Sequence, residues 1–355
     1  MSSKPKPEPE PKPEPEPARS IDALAALELT AIVLKVSGSG SGSGSGHLRA
    51  LGSGSVLAPP CLAHFGQIWG PAPSPHGMAR GPIALGEPVV PGQWYRRVTE
   101  AMHVTIVPCL SDNYAYVLTA EGGRAAVVVD PGEDGPVIAA CTAAGLDLVA
   151  ILNTHHHWDH VGGNHALTCR HPDLRVFGHE LDRDRIPGLT DVVVDGAVLD
   201  IAGLTMTVMH VPGHTRGAVA YVGGGCAFTG DTLFAAGCGR LFEGTVTELY
   251  QSLNHRLARL PPDTRVFCGH EYTLKNLTFA RIVEPGNERV EQRLAAVTST
   301  RARGAPTVPT TMGEELVTNP FLRTSSEEIR LHFALPSEVG DAEVFAALRA
   351  ARNRH

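Results

Sequence analysis

Apolar and polar residues alternate regularly only from Met102 onward, and the pattern there predicts an α/β fold. Short apolar or alternating runs predict strands at 103–107, 114–119, 125–130, 147–153, 205–211, 218–222, 226–229 and 265–268. Helical spacing predicts intervening helices at 136–144, 160–171 and 247–259. After Glu271 the pattern is helical only, at 275–283, 286–302, 325–333 and 341–352. We therefore expect a layered α/β domain over 102–270 and a helical C-terminal domain over 271–355.

Residues 1–101 have no such pattern. Proline occupies every odd position from Pro5 to Pro17, and Ser-Gly repeats fill 37–46. The first tract is typical of extended polyproline II and the second of a flexible coil, so we expect a low-complexity, disordered extension. One hypothesis is that the natural product begins at Met102, and the alternative is a real linker or tether.

Composition narrows the class of protein. The chain has 355 residues, of which 43% are apolar and 19% charged, and its formal net charge is -7. That balance provides no basic stripe for nucleic acid or for a membrane surface, and no apolar run approaches the ~20 residues that span a bilayer. The seven cysteines form no CxxC pair, which suits reduced thiols. We expect a cytoplasmic monomer that binds neither nucleic acid nor membrane.

The densest group of chemically active residues is His-His-His-Trp-Asp-His at 155–160, directly after an apolar run. Side chains alternate in an extended loop, so His155, His157 and Asp159 can point to one side, and His160 can join them as the chain turns toward a helix. Imidazole and carboxylate are ligands for zinc, iron or manganese. The segment therefore predicts a metal site, with the intervening His156 pointing away.

Three further candidate ligands, His214, Asp231 and His270, each follow a predicted strand and a glycine. Glycine lets the backbone bend sharply, and side chains at strand ends can gather around a shared centre. Five histidines and two aspartates exceed the needs of one tetrahedral ion and suit two, with Asp231 between them. The alternatives are scattered histidines or a closed structural zinc site, although the latter is usually rich in cysteine.

His155, His157, Asp159 and His160 match the signature HxHxDH, and this arrangement resembles the metallo-β-lactamase superfamily. The resemblance implies an αββα sandwich. It also implies that His155, His157 and His214 hold one metal, that Asp159, His160 and His270 hold the other, and that Asp231 bridges both. Asp130 in Val-Asp-Pro-Gly matches a carboxylate that supports the metal loop without being a ligand.

A pair of metal ions points to hydrolysis. Two divalent ions, zinc first and iron or manganese as alternatives, can lower the pKa of a bridging water and polarise the group that the resulting hydroxide attacks. Asp159 and Asp231 would act as catalytic carboxylates, Asp159 orienting the hydroxide. A thioester suits this chemistry because a thiolate, whose acid has a pKa of about 8.5, can leave without a general acid.

The segment Gly-Cys-Gly-Arg-Leu-Phe-Glu-Gly-Thr at 237–245 resembles glyoxalase II, the hydroxyacylglutathione hydrolases. So do the motifs at 113–114, 269–273, 276–277 and 318–323, and the resemblance runs from about Met102 to the C-terminus. It implies hydrolysis of S-(2-hydroxyacyl)glutathione thioesters, above all S-D-lactoylglutathione to D-lactate and glutathione, the second step of methylglyoxal detoxification.

Carried over by position, the resemblance implies a binding site for glutathione. Arg240, Phe242, Tyr272 and Asn276 would surround it, with Phe242 where some members have tyrosine. Arg349 and Arg352 would clamp its glycine carboxylate, and they lie i, i+3 on one predicted helix. The alternative for this pair is ordinary surface charge.

Two other functions remain open at this point. A persulfide dioxygenase would use a single iron held by two histidines and one carboxylate and would consume oxygen, but it lacks the long helical domain. A lactonase or β-lactamase is disfavoured for the same reason. From a different class, a non-enzymatic scaffold would use the metal core only for stability.

Overall fold

The computed structural model describes residues 102–355, so the expectations for 1–101 lie outside the described residues. The described chain forms strands β1 to β14: Met102–Cys109, Asn113–Ala120, Ala125–Val129, Asp147–Leu152, Arg175–His179, Asp191–Val193, Val198–Ile201, Leu204–His210, Val219–Gly223, Cys226–Gly230, Leu233–Phe234, Gly237–Cys238, Arg265–Cys268 and Thr310–Thr311. It also forms helices α1 to α9: Asp134–Ala144, Trp158–Val161, Asn164–Arg170, Val246–Tyr250, Thr273–Val283, Glu288–Ala302, Met312–Thr318, Glu327–His332 and Asp341–Arg354.

Two six-stranded sheets pack face to face, because each presents a row of large apolar side chains to the other. The strand orders are β1-β2-β3-β4-β5-β6 and β14-β13-β10-β9-β8-β7. Tyr116 and Phe177 of the first sheet share one core with Tyr221, Phe228 and Phe267 of the second. Burying such aromatic rings stabilises the sandwich by roughly 1.5–3 kcal/mol each.

Helices cover the outer face of each sheet. Val137 of α1 and Leu167 of α3 pack in one cluster with residues of the first sheet. Phe279 of α5 and Phe345 of α9 pack in another cluster with residues of the second sheet, such as Val266. The layers therefore follow the order helix, sheet, sheet, helix. No helix within residues 102–355 is both long and apolar enough to cross a membrane.

The predicted strands are present, with ends shifted by one or two residues, but three helical expectations need correction. The predicted helix 160–171 is split into α2 and α3 at Gly162, whose Cβ, if it had one, would lie 2.5 Å from the Gly132 carbonyl oxygen. The predicted helix 247–259 continues from α4 as a π-helix over Gln251–Arg256 and a 3₁₀ turn. The expectation that no strand follows Glu271 is wrong, because β14 pairs antiparallel with β13.

The strand ends place the predicted ligands at one edge of the sandwich. β4 ends at Leu152, just before the histidine cluster, and β10 ends at Gly230, just before Asp231. β13 ends at Cys268, two residues before His270, and runs parallel to β10. Parallel neighbouring strands end at the same edge of a sheet, so loops distant in sequence meet there.

Candidate metal centre

Three histidine rings form the first group of possible ligands. His155 Nε2 lies 3.1 Å from His157 Nδ1. His214 Nε2 lies 3.0 Å from the same His157 nitrogen. Three ring nitrogens therefore converge on one point, which is the arrangement expected around a single cation.

The second group combines two histidines with a carboxylate. Asp159 Oδ2 lies 3.4 Å from His270 Nε2 and 3.7 Å from His160 Nε2. Asn113 Nδ2 donates a 3.0 Å hydrogen bond to the same carboxylate oxygen and so limits its rotation. This group also has three potential donor atoms close enough to share one ion.

Asp231 connects the two groups. Its Oδ1 lies 3.3 Å from His160 Nε2, and its Oδ2 lies 3.3 Å from His270 Nε2 and 3.6 Å from His214 Nε2. The structure thus brings all seven predicted side chains together, with one carboxylate between the two groups.

Hydrogen bonds on the outer side determine which ring nitrogens face inward. His214 Nδ1 donates to the Arg240 carbonyl oxygen at 2.8 Å, and His270 Nδ1 donates to Asp112 at 2.9 Å. His160 Nδ1 donates to Asp130 at 3.0 Å. Because carbonyl and carboxylate oxygens can only accept, these Nδ1 atoms carry the proton, and each Nε2 lone pair points into the centre.

The ligand atoms that face into the centre favour a bound positive charge. His160 Nε2 and Asp231 Oδ1 are buried and have no hydrogen-bond partner among the described residues. Burial lowers the pKa of His160, but Asp231 and Asp130 outweigh that effect and raise the pKa to about 10. Burial likewise lowers the pKa of His270, and Asp231, Asp159 and Asp112 raise it to about 11. The donors therefore fit divalent cations, which would take the place of the protons on these two rings and neutralise the carboxylates.

The net pKa shift of the first group has the opposite sign, because no carboxylate outweighs burial there. Burial lowers the pKa of His155 well below its usual value and that of His157 to about 4, with the neighbouring histidines adding to the effect. Burial also lowers the pKa of His214. All three rings are therefore neutral near pH 7, which is the form that binds a metal.

The glycines before the ligands permit their close approach. A Cβ on Gly269 would overlap Asp231 Oδ1 and lie 2.6 Å from His160 Cε1. Gly230 has φ 48°, and a Cβ there would overlap the Thr154 hydroxyl. Side chains at these two positions would push the carboxylate and the metal loop apart.

Asp130 and His156 lie next to the centre but face other partners. Asp130 accepts hydrogen bonds from the Thr154 backbone nitrogen at 2.7 Å and from the Thr154 hydroxyl at 2.6 Å, in addition to His160. His156 Nδ1 lies 3.2 Å from the fully buried Asp182 carboxylate and Nε2 lies 3.5 Å from Glu243. Arg185 bonds to both of these acids, so an ionic network connects the metal loop to the loop at 237–245.

The centre opens onto a cleft of about 730 Å³ that contains all six predicted substrate-contact residues. Phe242 is 64% exposed and its ring contacts His157 and His214 edge-on. The Tyr272 ring stacks on His270, with centroids 4.8 Å apart. Asn276 is buried and accepts a 3.2 Å hydrogen bond from Arg352, while Arg240 is exposed.

Among these residues Arg349 is the buried arginine, and it bonds to the protein's own backbone. It is only 3% exposed, and its Nη1 donates to the carbonyl oxygens of Cys238 and Gly239 at 2.9 and 3.1 Å. The guanidinium therefore holds the 237–240 loop, and it is not surface charge. Cys238 and Cys268 are both buried, and burial raises the pKa of each thiol, so neither is prepared to act as a nucleophile.

Sequence reasoning missed several residues around the centre. Asp112, in the turn before β2, holds His270. Asn113, the first residue of β2, holds Asp159 and forms an isolated bridge with His270. Trp158, Phe234 and Lys275 also line the cleft. The sequence signals for the first pair were the polar turn Ser-Asp-Asn between two apolar strands and, for Asn113, the motif at 113–114, which predicted no contact with a ligand.

Comparisons with known proteins agree with this architecture. Residues 110–270 match the family model described as the metallo-beta-lactamase superfamily, and residues 271–355 match the one described as the hydroxyacylglutathione hydrolase C-terminus. Both the predicted αββα sandwich and the C-terminal helical domain are thereby confirmed.

Relatives match over nearly their whole length. A hydroxyacylglutathione hydrolase from Gloeobacter violaceus is 49% identical over 69% of this chain and 96% of its own. A cytoplasmic hydroxyacylglutathione hydrolase from Arabidopsis thaliana is 42% identical over 71% of this chain and 98% of its own. Among solved structures, ETHE1 from Myxococcus xanthus covers 70% of this chain and 98% of its own, at 24% identity and a TM-score of 0.49. The chain therefore belongs to the hydroxyacylglutathione hydrolases of the metallo-β-lactamase superfamily.

Proposed function

We propose that this protein hydrolyses S-(2-hydroxyacyl)glutathione thioesters, with S-D-lactoylglutathione as the first substrate to test. The observation that carries the proposal is the Asp231 carboxylate, which lies between two groups of inward-facing ligand atoms at the base of an open cleft. The names of relatives that are 42–49% identical support the same reaction.

The ligand sets follow from the two groups. His155, His157 and His214 would hold one ion, Asp159, His160 and His270 would hold the second, and Asp231 would contact both. Zinc is the metal that we propose, because three imidazoles and few oxygen donors suit it, and iron and manganese are the alternatives. Once bound, such ions would make water nucleophilic near neutral pH and polarise the thioester carbonyl.

The protein side chains orient the reactants. Burial raises the pKa of Asp159, but His270, His160 and Asn113 outweigh it and hold the pKa below its usual value, so the carboxylate stays ionised. With one oxygen fixed by Asn113, Asp159 can accept a hydrogen bond from the attacking water and aim it at the carbonyl carbon. The glutathione thiolate leaves unprotonated, so no general acid is required.

The cleft would hold the glutathione part of the substrate. Arg240 and Arg352 supply positive charge, and Tyr272 and Phe242 supply apolar walls beside the two metal sites. We propose that residues 102–270 form the catalytic domain and that 271–355 form the glutathione-binding domain. We also propose that the protein acts as a cytoplasmic monomer, and light scattering of the purified chain tests the oligomeric state.

Removing the metal should abolish turnover. We expect the protein as purified to hydrolyse S-D-lactoylglutathione, measured as loss of thioester absorbance, and to contain two metal ions per chain by mass spectrometry. Stripping with a chelator should lower the rate by at least about 100-fold, because water at its bulk pKa is a poor nucleophile. Added zinc should restore it.

An oxygen electrode separates the competing functions. Oxygen uptake with glutathione persulfide and no loss of thioester would overturn the proposal in favour of a dioxygenase. Unchanged folding together with no turnover of either substrate, with and without metal, would favour the scaffold.

A further inference from the structure

Lys275 is the sole lysine in residues 102–355 of the sequence, and it lines the cleft. Its side chain extends from α5 and is exposed. The Nζ atom lies 5.7 Å from the centroid of the Tyr272 ring, and the same ring stacks on His270 at an interplanar angle of 4°. Tyr272 therefore contacts both a proposed metal ligand and the Lys275 cation that lines the cleft.

The ammonium group of Lys275 has no anionic partner within the described part of the chain. Several arginines of the helical part are paired by contrast: Arg281 with Glu291, Arg293 with Glu315 and Arg323 with Glu284. The carboxylates that line the cleft, those of Asp112, Asp159 and Asp231, are instead bound to histidines. A cation left unpaired beside a deep cleft is available to a ligand.

Arg349 is not available in the same way. Its Nη atoms donate to the carbonyls of Cys238 and Gly239 and to the Asn353 side chain, and its Nε is buried with no hydrogen-bond partner among the residues that the structure describes. Arg352 is partly buried, and burial, together with Arg349 and Arg240, lowers its pKa. Of the two arginines expected to bind the glycine carboxylate, Arg352 is therefore the one whose guanidinium a ligand can reach.

We propose that Lys275 binds a carboxylate of the substrate's thiol carrier and completes, with Arg352 and Arg240, the anion site of the cleft. This proposal rests on the proposed function, since glutathione carries a carboxylate at each end of the tripeptide. The flexible stem of lysine suits a partner that arrives with the substrate, because the ammonium can follow a carboxylate without a fixed geometry. Tyr272 would keep the stem directed along the cleft through its contact with the ammonium.

The test compares Lys275→Gln, Lys275→Arg and Lys275→Glu in the full chain with zinc bound. We expect Lys275→Gln to raise KM for S-D-lactoylglutathione about three- to fivefold with kcat nearly unchanged, the range of a solvent-exposed ion pair. Lys275→Arg should restore KM, and Lys275→Glu should raise it further. All differences should shrink at high ionic strength.

A substrate without free carboxylates and a matched variant isolate the contact. With the diester of S-D-lactoylglutathione, in which both carboxylates are blocked, Lys275→Gln should equal the unmodified protein. Arg281→Gln removes the same charge from the exposed side of the same helix and should leave KM unchanged. Equal KM values for Lys275→Gln and the unmodified protein, or an undiminished effect on the diester, would overturn the proposal. Absence of any thioester hydrolysis by the unmodified protein would instead reject the proposed function.

Discussion

Asp231→Ala should lose metal from both positions and lower kcat/KM by on the order of 10³-fold or more. Within residues 102–355, the Asp231 carboxylate approaches His160, His270 and His214 together, at 3.3, 3.3 and 3.6 Å. Removing it leaves three imidazoles without their shared anionic neighbour and takes one donor from each proposed ion. The loss should exceed the ~10–100-fold typical of residues that only support a ligand.

Asp112→Asn should have a smaller effect than Asp231→Ala and serves as its comparison. Asp112 contacts His270 Nδ1 from outside the centre, so this variant should keep both ions and lose about 10–100-fold in kcat/KM. Metal counts by mass spectrometry and thioester kinetics at saturating zinc measure both variants. Two bound ions per chain in Asp231→Ala, with activity within about tenfold of the unmodified protein, would refute the bridging role.

Local patterns explain why the sequence predicted the metal loop. His155, His157, Asp159 and His160 lie within six consecutive positions, so the alternation of an extended loop and one helical turn already places them together. His214, Asp231 and His270 were identifiable because each follows a strand and a glycine, and Gly269 permits contacts that a Cβ would block. Short-range geometry was sufficient to propose each candidate, whereas the division of the seven into two ligand sets came from the family resemblance.

Features that depend on distant partners escaped prediction. β14 is only two residues long, and its pairing with β13 depends on contact between segments about 45 residues apart, not on local periodicity. The burial of Arg349 likewise depends on where the 237–240 loop lies, because sequence spacing gives the helix face but not what covers it. The sequence therefore indicates which arginines lie near the cleft. It does not indicate which of them bind the protein's own backbone and which can bind a ligand.

A buried ion pair in the helical part holds the loop next to the metal centre. Glu315 is fully buried, and its Oε1 accepts from Arg293 at 2.6 Å. Its Oε2 accepts from the backbone nitrogen of Ala236 at 2.8 Å and from Asn319 at 2.9 Å. Ala236 has a positive φ of 56°, so this carboxylate stabilises a backbone turn that an alanine rarely adopts.

Arg293→Met should therefore destabilise the fold by about 3–5 kcal/mol, because it leaves the Glu315 carboxylate buried without a counter-charge. The double variant Arg293→Met/Glu315→Gln should be more stable than Arg293→Met alone. A neutral glutamine can still accept from Ala236 and Asn319 and no longer needs a cation. Urea unfolding at fixed zinc concentration measures both. If the double variant were the less stable of the two, the buried charge would not be what Arg293 compensates, and its hydrogen bonds to Thr310 and Thr318 would account for its contribution instead.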